Sequence, residues 1–387
     1  METAIQRAAD LDSPAGNPKS GGVAVGYSST PRGEPDGHEA VSRAAVSRKL
    51  AAIKGFEFAG EYDHSVKYPG AVYFIPDETI IGIGLAQSLG ISSEHDLFGG
   101  VVPHSFVATK AISHPLIHPG ARSPAGWSPE FGSRVQDAVL AGYTVFTAED
   151  AKLACARLLE EGPARLKAVR AKGGHGQTVV SDMAELEAAL GGIDPAELAD
   201  HGLVLEENLT GVTTHSVGQI RVGDLIATYY GTQRLTPDNN GMQVYGGTDL
   251  VAVLGGFERL VKLDLPEAVH MAVVQACRYD TAAEACFPGI ILSRRNYDVA
   301  QGVGPDGRRR SGVLEQSWRL GGASSAEVAA LEIFQADPDV KEVRAACFEV
   351  YGTGHEPPPN ATMYFQGHDA KVGPLTKYTV ARIDDDT

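Results

Sequence analysis

A glycine-rich loop between two predicted strands carries residue types that bind phosphate. The predicted strand Ala164–Arg170 contains Arg165 and Lys167. The loop after it reads Lys172-Gly173-Gly174-His175-Gly176-Gln177. Glycine lets backbone N–H groups approach phosphate oxygens, and lysine supplies a mobile positive charge. A strand follows this loop where a Walker A or dinucleotide-binding motif needs a helix. The pattern indicates a phosphate-binding loop of another type, with a tight hairpin and solvated lysines as the alternative.

Two acidic residues, Glu206 and Glu207, end a short apolar strand that reads LVLEE. Carboxylates at the end of a buried strand can accept hydrogen bonds from an adenine amino group or from ribose hydroxyls at a hinge. The alternative is a solvated strand end, because charged side chains are mostly exposed. Both interpretations fit these two residues taken alone.

A predicted hairpin in the C-terminal third brings polar side chains together. Asn296 and Asp298 share one face of its first strand, and Glu315 and Ser317 share one face of its second strand. Antiparallel pairing of the two strands predicts that these groups meet. Their oxygens suit Mg²⁺, a hard cation that proteins usually share with substrate phosphates.

Two arginines, Arg295 and Arg319, flank the carboxylates of this hairpin. Such guanidinium groups can stabilise the charge that develops during phosphoryl transfer. A structural ladder of salt bridges is the alternative. This alternative is less favourable energetically, because carboxylates that are buried unpaired beside apolar neighbours such as Trp318 lose their hydration without compensation.

Strands and helices alternate in the first part of the chain. Residues 23–27 and 71–75 read as strands, with helical spacing of apolar residues over 39–53. This order predicts a small α/β module over residues 21–105. Residues 213–254 alternate β-rich runs with turn clusters and predict a largely antiparallel sheet. The chain is therefore predicted to be of the mixed α/β (α+β) class.

The predicted elements divide the chain into five parts. We expect the last part to be largely irregular and to form an appended strand or a cover. The five parts are a disordered N-terminus (1–20), the α/β module (21–105), a small subdomain with the glycine-rich loop (106–210), a larger subdomain with the polar hairpin (211–340) and a C-terminal extension (341–387).

Composition limits the classes of partner. The 387 residues include 33 basic and 49 acidic ones, a net charge of −16, which disfavours general binding to nucleic acid or anionic membranes. The four cysteines are far apart and contain no CxxC pair, so neither a disulfide framework nor a zinc site is predicted. The chain begins without a signal-peptide pattern and has no apolar run long enough to span a membrane. We expect a cytoplasmic protein.

Taken in chain order, these motifs resemble the ATP-grasp superfamily over about residues 100–335, preceded by a pre-grasp module. Lys110, in FVATKAISHP, resembles the superfamily's first lysine, and Lys167 resembles the lysine on the strand of the small subdomain. The glycine-rich loop resembles the flexible loop that covers the phosphates. VLEENLTG resembles the adenine hinge, with Glu206 or Glu207 at its acidic position.

EQSWRLGG resembles the ExNPR-type metal motif of that superfamily. Glu315 stands at the glutamate, Ser317 at the asparagine and Arg319 at the arginine. Serine departs from the pattern, so Gln316 is an alternative ligand. The phrases DLFGGVVPHSFVATK and SGVLEQSWRLGGAS resemble an uncharacterised bacterial group of ATP-grasp-like proteins, which implies no substrate.

The resemblance implies a ligase that uses ATP and magnesium (Mg2+). ATP would phosphorylate the carboxylate of a small molecule, and an amine or another nucleophile would displace the phosphate. Asp298 or Asn296 takes the position of the upstream metal ligand, and Arg295 would hold the acyl-phosphate. The alternatives are a kinase of the same fold and a nucleotide-binding protein without ligase turnover. The implied partners are a carboxylate and an amine, with a homodimer as the default among soluble oligomers.

Overall fold

The computed structural model describes residues 21–29, 37–171 and 176–383. The helices are α1 (His38–Lys54), α2 (Ile83–Ser88), α3 (Pro129–Val135), α4 (Ala148–Leu159), α5 (Met183–Gly191), α6 (Pro195–His201), α7 (Phe257–Leu260), α8 (Glu267–Cys286) and α9 (Ser324–Ala336), with 3₁₀ turns at Ser105–Ala108 and Lys110–Ser113. The strands are β1 (Gly22–Tyr27), β2 (Glu57–Glu61), β3 (Ala71–Pro76), β4 (Ile80–Ile81), β5 (Gly100–Val102), β6 (Gly142–Val145), β7 (Ala164–Ala168), β8 (Gln177–Val180), β9 (Leu203–Glu207), β10 (Thr210–Val222), β11 (Leu225–Pro237), β12 (Gln243–Leu254), β13 (Ile291–Leu292), β14 (Arg294–Val303), β15 (Arg309–Ser317), β16 (Glu342–Tyr351), β17 (Thr362–Asp369) and β18 (Gly373–Ile383).

A parallel three-stranded sheet in the order β2-β1-β3 begins the fold. The near-continuous apolar run of β1 is typical of a parallel strand that is covered on both faces. Helix α1 buries Val46, Leu50 and Ile53 against this sheet and against α9. The helix ends at Gly55, whose φ of +76° favours glycine. The predicted α/β character of this region is confirmed.

A four-stranded antiparallel sheet in the order β6-β9-β7-β8 forms the small subdomain. Helix α4 begins where Thr147 Oγ1 accepts a hydrogen bond from the Asp150 amide at 3.0 Å, as the capping pattern predicts. Helices α4 and α5 cover the face of the sheet that contains Leu166 and Leu205. Because side chains alternate along a strand, Lys167 of β7 and Glu206 of β9 lie on the opposite face.

The largest sheet has eight antiparallel strands in the order β15-β14-β10-β11-β12-β16-β18-β17. Helix α8 packs against β10, β14 and β15 on one face, where Val217 and Tyr297 belong to the core. Helix α9 packs against β12, β16 and β18 on the other face, where Tyr229 and Leu250 are buried. Side-chain alternation therefore decides which helix each residue of β14 meets.

The C-terminal part of the chain differs from its prediction. Residues 342–383 contain β16, β18 and β17, which complete the large sheet, so the expectation of a largely irregular extension is wrong. In β16 the inward residues Val343, Ala345 and Cys347 alternate with more exposed ones and pack into the core below α9. The segment between β16 and β17 contains the three consecutive prolines, which suit a loop and not a strand.

The cysteines are buried or partly buried. All four cysteines are free thiols, and burial raises the pKa of Cys277 to about 12, so this thiol stays protonated at neutral pH. In the described part of the chain, no helix is long and apolar enough to cross a membrane. The predicted mixed α/β class is confirmed.

Candidate active site

A buried ionic cluster lies on the polar face of the small sheet. Lys167 on β7 and Glu206 on β9 are only 3% and 2% exposed, and Lys167 Nζ contacts Glu206 Oε1. The second carboxylate oxygen, Oε2, lies 3.2 Å from Nε2 of His114, which is fully buried. Burial alone raises the pKa of Glu206, but the charge of Lys167 and the hydrogen bond from His114 lower it to about 2. Glu206 is therefore ionised at neutral pH.

Lys110 joins the small sheet to the large one. Its Nζ lies 2.9 Å from Oε2 of Glu315 on β15 and donates a hydrogen bond of 2.8 Å to the carbonyl of Ala171. Ala171 immediately precedes the glycine-rich loop, of which Lys172, Gly173, Gly174 and His175 lie outside the described residues. Lys167 lies on the strand that leads into this loop, and Lys110 contacts the residue at its start.

The loop returns to the small sheet through Gly176 and Gln177. The Gly176 carbonyl accepts a hydrogen bond from the Ala168 amide at 3.0 Å, and Gly176 has a φ of +65°, which favours glycine. Gln177 Oε1 accepts a hydrogen bond of 3.0 Å from Nη1 of Arg165. The base of the loop is therefore closed by contacts between β7 and β8.

The register of β14 and β15 brings the polar side chains of the hairpin together. Asp298 lies directly opposite Glu315, and Asn296 lies opposite Ser317. Burial and, after it, the nearby Glu315 raise the pKa of Asp298, while hydrogen bonds from neutral side chains act in the opposite direction. Two carboxylates that face each other in this way favour a cation between them.

The hydrogen bonds of the hairpin distinguish the alternative ligands. Asn296 Oδ1 lies 2.9 Å from the Tyr229 hydroxyl oxygen, and the Asn296 amide nitrogen donates to Asp298 Oδ1 at 2.9 Å. Gln316 Oε1 accepts a hydrogen bond from the Tyr279 hydroxyl, and its amide nitrogen donates to two backbone carbonyls. Ser317 Oγ accepts a hydrogen bond of 3.2 Å from Arg294. The amide oxygen of Gln316 is thus already occupied, and that of Asn296 faces the Tyr229 hydroxyl.

A buried network behind the hairpin orients these groups. Arg294 donates to both carboxylate oxygens of Glu327 on α9, at 3.0 and 2.7 Å, and both side chains are fully buried. The Tyr229 hydroxyl oxygen lies 2.6 Å from Glu327 Oε1 and 2.9 Å from Asn296 Oδ1, and it can donate its single proton to one of these two oxygens at a time. The network therefore connects α9 to the side chain that donates to Asp298.

The two arginines proposed to stabilise charge lie apart from each other. Arg295 forms ion pairs of 2.7 and 2.8 Å with Asp280 and Glu284 of α8, on the face of the sheet opposite Asp298. Arg319 lies 3.2 Å from Glu78 of the first module. The structure brings together Lys110, Glu315 and Asp298 but not Arg295, because β14 turns alternate side chains to opposite faces.

Glu207 holds the end of β9 in place. Its Oε1 accepts a hydrogen bond of 3.1 Å from the Ala141 amide, and its Oε2 lies 3.4 Å from Arg310 on the hairpin. Both carboxylates of the predicted hinge are thus engaged by protein groups, Glu206 by Lys167 and His114, and Glu207 by Ala141 and Arg310.

Four residues of the site were missed by reasoning from the sequence as functional groups: His114, Tyr229, Arg294 and Glu327. Only His114 had a local signal, since it follows Lys110 by four residues in the motif FVATKAISHP. The others come together through the packing of α9 on the sheet. Across residues 21–29, 37–171 and 176–383, no group of three or more His, Cys, Asp or Glu side chains forms a metal site.

Several solved structures resemble this chain in fold at low sequence identity. A phosphoribosylamine–glycine ligase from Thermotoga maritima is 13% identical with a TM-score of 0.43, over 94% of this chain and 93% of that one. D-alanyl-alanine synthetase A from Vibrio cholerae is 11% identical with a TM-score of 0.40, over 82% and 99%. The D-alanine–D-alanine ligase from Coxiella burnetii is 10% identical with a TM-score of 0.39, over 76% and 85%. By name, all three are ligases or synthetases.

Comparison of sequences identifies the family. No curated protein matches this chain. Residues 27–379 match a family described as a protein of unknown function, DUF3182. The match covers most of the chain, and the chain therefore belongs to the DUF3182 family.

Proposed function

We propose that this chain is an ATP- and magnesium-dependent ligase that activates a small-molecule carboxylate as an acyl-phosphate for attack by an amine or another nucleophile. The observation that carries the proposal is the position of Lys110, whose ammonium group contacts Glu315 and the carbonyl of Ala171. One lysine thereby connects the candidate phosphate loop to the candidate metal carboxylates. The resemblance of the motifs to the ATP-grasp superfamily supports the same assignment.

The phosphates of ATP would be bound by positive side chains and backbone N–H groups. Lys110, which contacts Ala171 at the start of the loop, and Lys167, on the strand before it, would offset phosphate charge. The loop Lys172-Gly173-Gly174-His175-Gly176-Gln177 contributes the amides and a further lysine in this proposal. Base and ribose would lie at the end of β9, beside Glu207, whereas Glu206 is buried against Lys167 and His114.

Magnesium fits the chemistry of the hairpin. Asp298 and Glu315 carry hard oxygen ligands on one face of two paired strands. Burial is the larger cause of the raised pKa of Asp298, and the negative charge of Glu315 is the second. When bound, Mg²⁺ offsets phosphate charge and polarises the transferred phosphoryl group. Asp298 and Glu315 would hold the ion, whereas Ser317 accepts a hydrogen bond from Arg294 and would contribute less.

The proposed reaction has two balanced steps. A carboxylate oxygen of the substrate attacks the γ-phosphorus of ATP, the bond to the β-phosphate oxygen breaks, and ADP leaves. The nucleophile then attacks the acyl carbon, the C–O bond to phosphate breaks, and the amine loses its proton to solvent. Arg319, two residues beyond Ser317, keeps the proposed role of stabilising the developing charge, whereas Arg295 is directed towards α8.

A nucleotide-binding protein without turnover is the second candidate. The engagement of Arg295 by Asp280 and Glu284, and of Ser317 by Arg294, favours it because neither group points freely towards a substrate. The Lys110–Glu315 contact and the opposed carboxylates of the hairpin favour the ligase. A kinase of the same fold is distinguished from the ligase by the nucleophile requirement in the screen described below.

The division into subdomains belongs to the proposal. Residues 106–210 carry both lysines and the loop, and residues 211–340 carry the metal carboxylates, so the nucleotide would lie between them. A cytoplasmic homodimer is the state that we propose for the working protein.

The test is a screen of amino acids and small carboxylates, with and without amines, for ADP and phosphate formation by the full chain. The ligase predicts phosphate release that needs both an acid and a nucleophile and is lost in Glu315→Gln. Glu284→Gln is the matched control, because Glu284 pairs with Arg295 on the far face of the sheet. Formation of ADP with an acid alone and without matching free phosphate would indicate a kinase, and nucleotide binding without any ADP formation would favour the second candidate.

A further inference from the structure

His114 belongs to the same short segment as Lys110. The 3₁₀ turn Lys110–Ser113 ends at His114, and its carbonyl at Ala111 accepts a hydrogen bond of 2.7 Å from Thr144. Ser113 Oγ lies 2.9 Å from the Tyr279 hydroxyl of α8. The segment is therefore anchored to both the small sheet and the large subdomain, and it orients one side chain towards Glu315 and another towards Glu206.

The imidazole of His114 forms a hydrogen bond with one of the two oxygens of the buried Glu206 carboxylate. A carboxylate accepts hydrogen bonds, so His114 Nε2 donates to Oε2 of Glu206 while Lys167 contacts Oε1. The other imidazole nitrogen, Nδ1, is buried and has no hydrogen-bond partner among the described residues. Leaving a buried nitrogen without a hydrogen-bond partner is unfavourable, and an apolar side chain of similar size would avoid that cost. Packing alone does not account for a histidine at this position.

The charges of Glu206, Lys167 and a bound phosphate explain what His114 contributes. If Glu206 had Lys167 as its only partner, a phosphate that drew Lys167 away would leave a buried carboxylate unpaired, which is strongly unfavourable. His114 keeps one oxygen of Glu206 hydrogen-bonded in either case. The energetic cost of sharing Lys167 between Glu206 and a phosphate is therefore reduced.

We propose that His114 is a positioning residue that acts through Glu206 to make Lys167 available to the phosphates of a bound nucleotide. The inference rests on the proposed function, because it requires a nucleotide whose phosphates reach Lys167. It assigns no contact between His114 and the nucleotide, since the imidazole lies behind Glu206 and is fully buried. Its effect must therefore depend on the phosphates and not on the base.

Calorimetric titration of the full chain with ATP and, separately, with adenosine tests this dependence. In His114→Leu we expect the Kd for ATP to rise about tenfold while that for adenosine changes by less than about twofold. His114→Gln, which keeps an N–H donor, should lie between the wild type and His114→Leu. Equal weakening for both ligands would overturn the inference in favour of a structural role, as would unchanged ATP binding in both variants.

A second measurement needs no nucleotide and separates the two proposals. The carboxyl group of Glu206, followed by NMR of its carboxyl carbon in the ligand-free chain, should begin to protonate at higher pH in His114→Leu, which lacks the N–H donor, than in the wild type, where its pKa is about 2. An unchanged protonation curve would contradict the role of His114. Failure of the wild type to bind ATP would overturn the proposed function and the role towards phosphate, whatever the carboxyl titration gives.

Discussion

Lys110 and Glu315 form an ion pair, with Nζ 2.9 Å from Oε2, that joins the segment before the small sheet to the last strand of the polar hairpin. The same ammonium group donates to the carbonyl of Ala171 at the base of the glycine-rich loop. In the ligand-free chain, Lys110 therefore offsets part of the negative charge of Glu315. A bound phosphate would compete for this lysine and leave both carboxylates of the hairpin to a metal ion.

Lys167 is expected to stabilise the fold as well as to bind phosphate. Replacing it in Lys167→Met leaves Glu206 buried without its cation, so the free energy of unfolding should fall by about 3–5 kcal/mol. Urea unfolding at neutral pH measures this loss. The double variant Lys167→Met with Glu206→Leu should recover most of it, because the unpaired charge is then removed.

The control for Lys167 is an exposed ion pair. Lys152 lies 2.9 Å from Glu187 with both side chains largely in solvent, and Lys152→Met should cost less than about 1 kcal/mol. A loss in Lys167→Met no larger than that in Lys152→Met would contradict the assignment of a buried, charged pair.

Glu206 makes the stability depend on acidic pH. Its pKa falls from the usual 4.5 to about 2 on folding, so the unfolded chain binds more protons between these values. The stabilisation is complete above pH 4.5 and is lost as the pH falls towards 2. Chemical denaturation at a series of acidic pH values should give a shallower dependence in Glu206→Gln than in the wild type. If the free energy of unfolding depended equally on pH in the two proteins, the lowered pKa of Glu206 would be contradicted.

Asp298 has the opposite effect on stability. Its pKa is raised in the folded chain, so the folded state holds the proton more tightly, and stability falls as the pH rises above the usual value of 3.8. Asp298→Asn should therefore stabilise the ligand-free chain by about 1 kcal/mol at neutral pH. Thermal unfolding measures the change, and added magnesium should stabilise the wild type more than the variant. A less stable variant that magnesium still stabilises would contradict the metal assignment.

Glu327 supports the hairpin from α9. Its carboxylate accepts two hydrogen bonds from Arg294, and both side chains are fully buried, so Glu327→Gln should lower the free energy of unfolding by about 3–5 kcal/mol. Glu332→Gln is the matched control, because Glu332 lies on the same helix and pairs with Lys49 at the surface, where the loss should be below about 1 kcal/mol. Urea unfolding compares the two variants, and equal losses would rule out a special role for the buried pair.

The pairs within one hairpin or between adjacent strands could be predicted from the sequence. Strand alternation places Asn296 and Asp298 on one face, and the turn GPDG sets the pairing that brings Asp298 opposite Glu315. The prediction did not identify which partner each polar group takes. The orientation of Asn296 depends on Tyr229, which comes from another strand of the sheet.

Contacts between distant elements could not be predicted in this way. The resemblance implies that Arg295 holds the acyl-phosphate, but Arg295 pairs with Asp280 and Glu284 on α8. Nothing local in the sequence indicates which face of β14 that helix covers. His114 is similar, since its partner Glu206 is brought near by the pairing of β6 with β9. The strands after residue 341 were missed because a proline-rich loop interrupts their alternation.

Calorimetric titration of the full chain with ATP, in the presence and absence of Mg²⁺, tests the central claim most directly. The comparison is between the wild type, Glu315→Gln and the control Glu284→Gln, whose carboxylate pairs with Arg295 on the other face of the sheet. We predict that magnesium strengthens ATP binding about tenfold or more in the wild type and in Glu284→Gln, and much less in Glu315→Gln. Equal magnesium dependence in all three proteins, or no ATP binding by the wild type, would contradict the account.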